Sequence, residues 1–333
     1  MKLSIKSLII LVFSSLVFSC GVSMDPARTK IYEEITKEAL NETIPNLEVG
    51  KSGKVKSDNV EIWYELITTS HEKKGTVLFI EGLEGTAMGW GKYTYEPLLN
   101  EGYDVIRMDN RDVGRSTWTK NLDYNLSDMA KDVLAVINEL NLDSVNIVGQ
   151  SMGGMIAQEF ALNYLEKTKT LTLIYTSGNI NDKNLPEPSE DFIDAIIAAN
   201  FEYSNADISS KIKLELASMD ASNGSPLAKE DLKFIAQRTI YEIEKRKGKN
   251  KDASESQQKA INKSGSRYDR LSQIKIPTLI IHGEKDPLIN IGHGKKLASL
   301  IPHAKTVWAK DYGHNIPKGF SEIIIENLID LMK

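Results

Sequence analysis

The fold of this chain is decided by one short stretch, Val148-Gly149-Gln150-Ser151-Met152-Gly153-Gly154. An apolar run precedes it and a helix-forming run, Met155 to Tyr164, follows it, so the order strand, sharp turn, helix is predicted. Ser151 lies at the tip of the turn, where the backbone is strained. Gly149 and Gly153 stand two positions to either side, because a side chain there would clash. The pattern predicts a serine hydroxyl exposed at the C-terminal edge of a sheet, with a helix N-terminus behind it.

The composition is that of a globular protein. The 333 residues carry a formal net charge of -5, and 41% of them are hydrophobic and 26% charged. This length suits one large domain with an insertion, or two domains. The mildly acidic balance argues against a nucleic-acid partner, as does the lack of a basic stretch interleaved with aromatic residues.

The beginning of the chain predicts a secretory signal peptide. Lys2 and Lys6 precede an apolar run from Leu8 to Val17, which is shorter than the about 20 residues of a membrane span. Cys20 is the one cysteine, so an intramolecular disulfide is excluded. The residues around it resemble the lipobox of bacterial lipoproteins. This implies removal of residues 1–19 and a lipid anchor on Cys20 in the bacterial cell envelope; the alternative is an ordinary signal peptide with an incidental cysteine.

Residues 20–50 are mostly polar, with Ile31, Ile35, Ala39 and Leu40 at helical spacing. They predict a tether and an N-terminal helix that precede the main domain. The following segment, Lys54–Ile67, predicts a hairpin with its turn at residues 57–59.

From residue 75 onward, predicted strands and helices alternate. The predicted strands are Thr76–Ile80, Tyr103–Met108, Val145–Val148, Leu171–Tyr175, Thr278–Ile281 and Thr306–Ala309. Between two of them lies an amphipathic helix, Leu126–Leu140, with Asn125 or Ser127 as its cap. This rhythm predicts the α/β class, with a mostly parallel sheet, helices on both faces, and ligands at the C-terminal ends of the strands.

Residues 179–270 interrupt this rhythm, because they contain no convincing strand and predict a helical insertion. The main domain is then formed by residues 51–178 and 271–333. Four apolar side chains at helical spacing are candidates for an acyl or aromatic pocket, or for the core of the insertion: Phe192, Ile196, Ile197 and Phe201. The basic run Lys245–Lys251 is interpreted as a solvated face.

A nucleophilic serine needs a base, and the base needs an orienting carboxylate. His314 follows the last predicted strand, at the same sheet edge as Ser151, and Gly313 lets the backbone turn its imidazole inward. It is therefore the predicted base. The other histidines have no comparable context, and His282 is assigned to the packing of its strand; they are His71, His282, His293 and His303.

The predicted carboxylate is Asp286, which follows the strand Thr278–Ile281 at the same edge. It is preferred over Glu284 because it lies deeper in the turn and Pro287 stiffens the backbone after it. Asp182, after an earlier strand, is the weaker competitor. The order along the chain is then Ser151, Asp286, His314.

A tetrahedral oxyanion needs two fixed hydrogen-bond donors. The N–H of Met152, directly after the nucleophile, is the first predicted donor. The second is the N–H of Leu83, in the loop Glu81-Gly82-Leu83-Glu84-Gly85 that follows Thr76–Ile80. The alternative is that these glycines mark only a tight turn.

The turn at Ser151, the acid and the histidine together resemble the α/β-hydrolase fold family, over about Val55 to Lys333. The segment Asp109–Ser116 also resembles a loop of esterases that hydrolyse aclacinomycin methyl ester. The resemblance implies a serine hydrolase that cleaves a small-molecule ester through an acyl-enzyme and needs no cofactor. It also implies that residues 179–270 form a helical cap.

Two positions depart from the family pattern. Glu81 stands where many relatives have histidine, and its carboxylate would disfavour negative charge near the oxyanion hole. Arg111 and Arg115 are its candidate partners. Gln150 stands where relatives often have histidine before the nucleophile.

The same triad also serves thioesters, amides, carbon–carbon bonds and, in relatives of the prolyl aminopeptidase type, peptides with N-terminal proline. A non-catalytic receptor on the same fold and a structural envelope lipoprotein are the alternatives outside enzymes. The histidines and carboxylates lack metal-ligand spacing, so no metal site is expected. The expected partners are a small-molecule ester and the membrane, through Cys20.

Overall fold

A single eight-stranded sheet forms the centre of the computed structural model, which describes residues 23–120 and 123–333. The strands are β1 (Lys51–Ser57), β2 (Val60–Ile67), β3 (Gly75–Ile80), β4 (Tyr103–Met108), β5 (Val145–Gln150), β6 (Thr168–Ile174), β7 (Thr278–Gly283) and β8 (Lys305–Ala309). Their order is β1-β2-β4-β3-β5-β6-β7-β8. The pairs β1–β2 and β2–β4 are antiparallel, and all other neighbours are parallel. The prediction of a mostly parallel sheet is confirmed.

Helices cover both faces of this sheet. Those outside the insertion are α1 (Pro26–Asn41), α2 (Lys92–Asn100), α3 (Leu126–Glu139), α4 (Met152–Asn163), α10 (Ile291–Leu300) and α11 (Lys318–Met332). The helices between β6 and β7 are α5 (Glu190–Glu202), α6 (Ile208–Ser222), α7 (Lys229–Lys245), α8 (Ala253–Ser264) and α9 (Tyr268–Leu271). Two short 3-10 turns, Ala87–Gly89 and Leu165–Lys167, complete the elements.

Each face of the sheet has its own apolar core. Helices α3, α4 and α10 pack on one face, and α2 and α11 pack on the other. Helix α3 is capped by Asn125, and the side chains of Asn125 and Asp128 each accept the other residue's backbone N–H. The strands that carry the site are therefore fixed from both sides.

The N-terminal helix packs on the insertion. Helix α1 precedes the main domain in the chain, and it contacts α6 and α7. Its buried residues Tyr32, Ile35 and Ala39 share one apolar cluster with Leu216 and Ile235, whereas Leu40 is exposed. Helix α1 is thus part of the same layer as the insertion.

Two further segments bear on the sequence predictions. Residues 254–263 are mostly polar, yet they form α8 within the insertion that was predicted to be helical, and this helix buries Ala253, Gln257, Ala260 and Ile261. Cys20 and the predicted signal peptide lie outside the described residues. Among the described residues, no helix has the length and apolar character to cross a membrane.

The crossing of β3, β5 and α4 is unusually close. A Cβ atom at Gly149 would overlap the carbonyl group of Gly153, and one at Gly153 would overlap the carbonyl oxygen of Ile80. Because these neighbours are backbone atoms, they cannot move aside without shifting a strand or a helix. The two glycines therefore set how closely the helix approaches the sheet.

We expect Gly153→Ala to lower the free energy of unfolding by about 1–3 kcal/mol, because the new methyl group overpacks a backbone contact. Urea denaturation measures this change. Gly75→Ala is the matched control, since the nearest atoms to a Cβ there are in the Tyr103 ring at 3.5 Å and the Asn146 side chain at 3.7 Å, both ordinary contacts. A Gly153→Ala protein with wild-type stability would contradict the close crossing.

Candidate active site

Ser151 occupies the turn between β5 and α4 in a strained conformation, with φ 52° and ψ -123°. Its N–H donates to the carbonyl oxygen of Ile174 at 3.0 Å, and the Thr176 hydroxyl donates to its carbonyl oxygen at 2.6 Å. These contacts with the end of β6 hold the backbone in a region that non-glycine residues rarely adopt. The side chain is thereby presented at the C-terminal edge of the sheet.

His314 lies directly beside Ser151, in the loop after β8. Its Nε2 is 2.9 Å from Ser151 Oγ, and its Nδ1 is 2.7 Å from Asp286 Oδ2. The carboxylate only accepts, so Nδ1 carries the proton and Nε2 is free to accept from the serine hydroxyl. The three side chains predicted as nucleophile, base and acid therefore form one hydrogen-bonded chain.

Asp286 is fully fixed by its surroundings. Its Oδ1 accepts the N–H groups of Leu288 at 2.9 Å and Ile289 at 2.8 Å. Burial alone would raise the pKa of Asp286, but His314 and His282 outweigh it and lower the pKa to about 2. The carboxyl group is consequently ionised at neutral pH.

The competing carboxylates lie apart from this chain. Glu284 is exposed. Asp182 accepts instead from the Tyr268 hydroxyl at 3.0 Å and from the N–H of Asn184 at 2.9 Å. Neither of them reaches His314.

His282 is a residue whose position at the site the sequence interpretation missed. It is completely buried at the end of β7, and its Nε2 donates to the carbonyl oxygen of Ile289 at 2.7 Å. The same atom lies 3.3 Å from Asp286 Oδ2. Its place at a strand's C-terminal end, the signal that indicated Asp286, also indicates His282. His293, in contrast, bonds to the Ser177 hydroxyl at 2.8 Å.

The loop after β3 lies against the nucleophile. A Cβ atom at Gly82 would be 3.1 Å from Ser151 Cβ, so a side chain there would require the loop or Ser151 to shift by a few tenths of an ångström. Within the described part of the chain, no backbone carbonyl accepts the N–H of Leu83 or of Met152. The role of these two N–H groups as oxyanion donors stays a prediction.

Glu81 is buried at the start of this loop. Its Oε2 accepts the N–H of Gly82 at 3.0 Å and the side-chain amide of Gln150. Gly85 and Gly89 press against the carboxyl group, because a Cβ atom at either would overlap it. Burial raises the pKa of Glu81 to about 7, against the opposing effects of Arg238, Gly82 and Gln150. Nearby Asp109 adds to the rise.

The prediction that Arg111 or Arg115 pairs with Glu81 is wrong. Arg111 forms two 2.7 Å contacts with Asp132, and Arg115 pairs with Glu48 at 3.0 Å. Both therefore satisfy their charge elsewhere. The cation that acts on Glu81 is Arg238 of α7, which a sequence pattern does not reveal because it comes from the insertion.

Gln150 links Glu81 to the base. Its side-chain oxygen Oε1 accepts the Tyr175 hydroxyl, while its side-chain Nε2 donates to Glu81 Oε2. The Tyr175 ring lies on the imidazole of His314, with 4.4 Å between ring centroids. Gln150 thus holds in place a ring that packs on His314.

The basic run Lys245–Lys251 is not entirely solvated. The Arg246 side chain is fully buried, pairs with Asp109 and lies 4.4 Å from the centroid of the Trp63 ring. Asp109 also accepts the N–H of Ala87 at 2.9 Å, beside the loop that carries Leu83. Arg246 therefore fastens the insertion onto the main domain close to the site.

The four apolar pocket candidates, all of which lie in α5, differ in how much of each side chain is exposed. Phe192 is buried and Ile196 and Ile197 are half-buried. Phe201 is 84% exposed, so it neither lines an enclosed pocket nor belongs to a core. Phe192, Ile196 and Ile197 thus remain the candidates for an acyl or aromatic pocket or for the core of the insertion.

A model of the alpha/beta hydrolase fold family matches residues 75–318. The chain belongs to this family and is a hydrolase, which confirms the predicted fold.

Particular relatives include esterases and a hydrolase of a different substrate class. The rhodomycin D methylesterase of Streptomyces peucetius is 26% identical over 290 residues, which are 80% of this chain and 93% of the relative. The 2-hydroxy-6-oxononadienedioate/2-hydroxy-6-oxononatrienedioate hydrolase of Escherichia coli is 27% identical over 248 residues, or 72% and 80%. The solved esterase of Exiguobacterium antarcticum has a TM-score of 0.67 and 21% identity, covering 85% of this chain and 99% of its own.

The raised pKa of Glu81 predicts a stability that depends on pH. Between its ordinary pKa near 4.5 and the folded value of about 7, the folded protein holds a proton that the unfolded chain has lost. Stability therefore falls as pH rises through this window. We expect the loss to reach roughly 2–4 kcal/mol by pH 8, and Glu81→Gln to lack it.

Urea denaturation of both proteins at pH 5 and pH 8 measures the difference. Glu84→Gln, three residues along the same loop, is the matched control and should behave like the wild type. Equal pH dependence in wild type and Glu81→Gln would show that Glu81 is ionised throughout.

Proposed function

We propose that the protein hydrolyses carboxylic esters of small molecules through an acyl-enzyme intermediate. The observation that carries this proposal is the continuous chain from Ser151 Oγ through His314 to Asp286, with contacts of 2.9 Å and 2.7 Å. These three side chains lie beside the backbone N–H groups of Leu83 and Met152, which have no backbone acceptor among the described residues. A nucleophile, a base, an orienter and an electrophilic site are the groups that acyl transfer requires.

In the first half-reaction, Ser151 Oγ attacks the ester carbonyl carbon while His314 Nε2 takes the hydroxyl proton. The negative charge that develops on the carbonyl oxygen is stabilised by the N–H groups of Leu83 and Met152. His314 then returns the proton to the departing alkoxide, and an alcohol leaves. Asp286 remains ionised and stabilises the imidazolium.

The second half-reaction repeats these steps with water. His314 removes a proton from water as it attacks the acyl carbon, and the proton then passes to Ser151 Oγ as the acid is released. Atoms and charge balance without a further reactant. The similarity to a rhodomycin D methylesterase supports an ester as substrate.

We expect Ser151→Ala to abolish labelling by a fluorophosphonate probe and to reduce p-nitrophenyl ester hydrolysis at least about 10³-fold. Asp286→Asn should cost about 10³–10⁴-fold in kcat, because the amide no longer fixes the imidazole tautomer. His303→Gln is the control: His303 is exposed and, among the described residues, its side chain bonds to the carbonyl oxygen of Ile276 at 2.9 Å and to none of the triad, so activity should persist.

Short-chain esters, thioesters, prolyl amides and a dienedioate carbon–carbon substrate are assayed side by side. Fastest turnover of esters supports the proposal. A wild-type protein that resists the probe and turns over nothing would indicate the receptor alternative. Faster turnover of another bond type would replace the ester as substrate.

We further propose that the protein is exported and that a lipid on Cys20 anchors it to the bacterial cell envelope. The proposal is based on the lipobox-like sequence that ends at Cys20. Metabolic labelling with a radioactive fatty acid should mark the wild type and not Cys20→Ala. The variant should also leave the membrane fraction. Label that survives Cys20→Ala would contradict this proposal.

A further inference from the structure

Helix α1 contacts α6 through a buried ionic cluster. Asp220 of α6 receives the Arg28 Nε–H at 2.7 Å and the Tyr32 hydroxyl at 2.6 Å on its Oδ2. Its Oδ1 receives the N–H of Leu227 at 2.6 Å, and Arg28 also donates to the Leu227 carbonyl oxygen at 3.3 Å. We call these four residues the Asp220 cluster.

The cluster lies at the end of α6 that supports the catalytic histidine. Two residues beyond Asp220, the carbonyl oxygen of Ser222 accepts the N–H of His314 at 2.8 Å. The neighbouring Asn315 side chain donates to the carbonyl oxygen of Met219 at 3.3 Å. Gly313 lies so close to Asn223 that a Cβ atom would overlap its carbonyl group. The loop that carries His314 therefore packs against residues 219–223.

The same end of α6 also supports the loop of the acid. Gly224, at φ +68°, lies against the carbonyl oxygen of Lys285, the residue before Asp286. The Ser225 hydroxyl donates to the carbonyl oxygen of Asp311 at 3.1 Å, three residues before His314. Both loops that carry the His314–Asp286 pair thus contact one short segment, residues 219–225.

We propose that helix α1 positions the catalytic histidine, by holding the end of α6 through the Asp220 cluster. Arg28, Tyr32 and Asp220 are then positioning residues, because they touch neither substrate nor reacting atoms. The inference rests on the proposed function of His314 as the base. A displacement of the imidazole by about 1 Å from Ser151 can cost on the order of 10²-fold in rate.

The test uses the full chain with Arg28→Met and Tyr32→Phe, which keep the side-chain stem or ring and remove the groups that bind Asp220. We expect kcat for the ester to fall roughly ten- to a hundredfold, with KM changed less than about twofold. Arg28→Met combined with Asp220→Asn should lose no more than the worse single variant, because the two residues act through one contact.

Lys233→Met is the matched control. It breaks the exposed contact of α7 with Glu42, the residue that follows α1, where Lys233 Nζ lies 2.6 Å from the carboxylate. This disturbs the other end of the same helix without touching Asp220. We expect wild-type kcat, and a loss as large as that of Arg28→Met would overturn the proposal.

Amide hydrogen exchange keeps the inference testable without turnover. The His314 N–H is bonded to Ser222, so the peptide that covers residues 311–316 should exchange faster in Arg28→Met and Tyr32→Phe but not in Lys233→Met. Unchanged exchange in the Arg28 and Tyr32 variants would overturn the inference. A wild-type protein without esterase activity but with this exchange pattern would instead refute only the proposed function.

Discussion

The backbone of Ser151 is held in a conformation that its own residue type disfavours, and much of the site depends on this constraint. A φ of 52° is stable only because β5 and β6 hold the turn from both ends, and because Gly149 and Gly153 let α4 cross the sheet at close range. The hydroxyl is therefore presented by the packing of β5, β6 and α4 against one another. The loops after β3, β7 and β8 then lie around one point, since parallel strands end at the same edge.

The groups at that edge could be predicted from the sequence because each depends on a local pattern. Ser151, Asp286 and His314 all follow short apolar runs, and chain direction alone places the ends of parallel strands together. The placement of Glu81 beside the nucleophile follows from the same rule. Sequence periodicity also separates the insertion from the sheet, because helices and strands differ in period.

Other features could not be predicted, because they depend on contacts between distant segments. The cation near Glu81 comes from Arg238, more than 150 positions away in the chain, and the partner of Asp109 comes from Arg246. The sequence of the basic run Lys245–Lys251 does not indicate which of its side chains are exposed to solvent and which one, here Arg246, is buried. Helix α1 has a weak apolar stripe, and nothing in its spacing indicates whether the stripe packs on the sheet or on the insertion.

Helix α1 lies outside residues 75–318, the part that matches the family. A shortened chain that begins at β1, the first strand, would remove Tyr32, Ile35 and Ala39 from the apolar cluster that includes Leu216 and Ile235. The newly exposed surface would favour self-association, and Asp220 would remain without two of its donors. For recombinant production, the useful N-terminal boundary is therefore set by Asp25, whose side chain caps α1, rather than by the first strand.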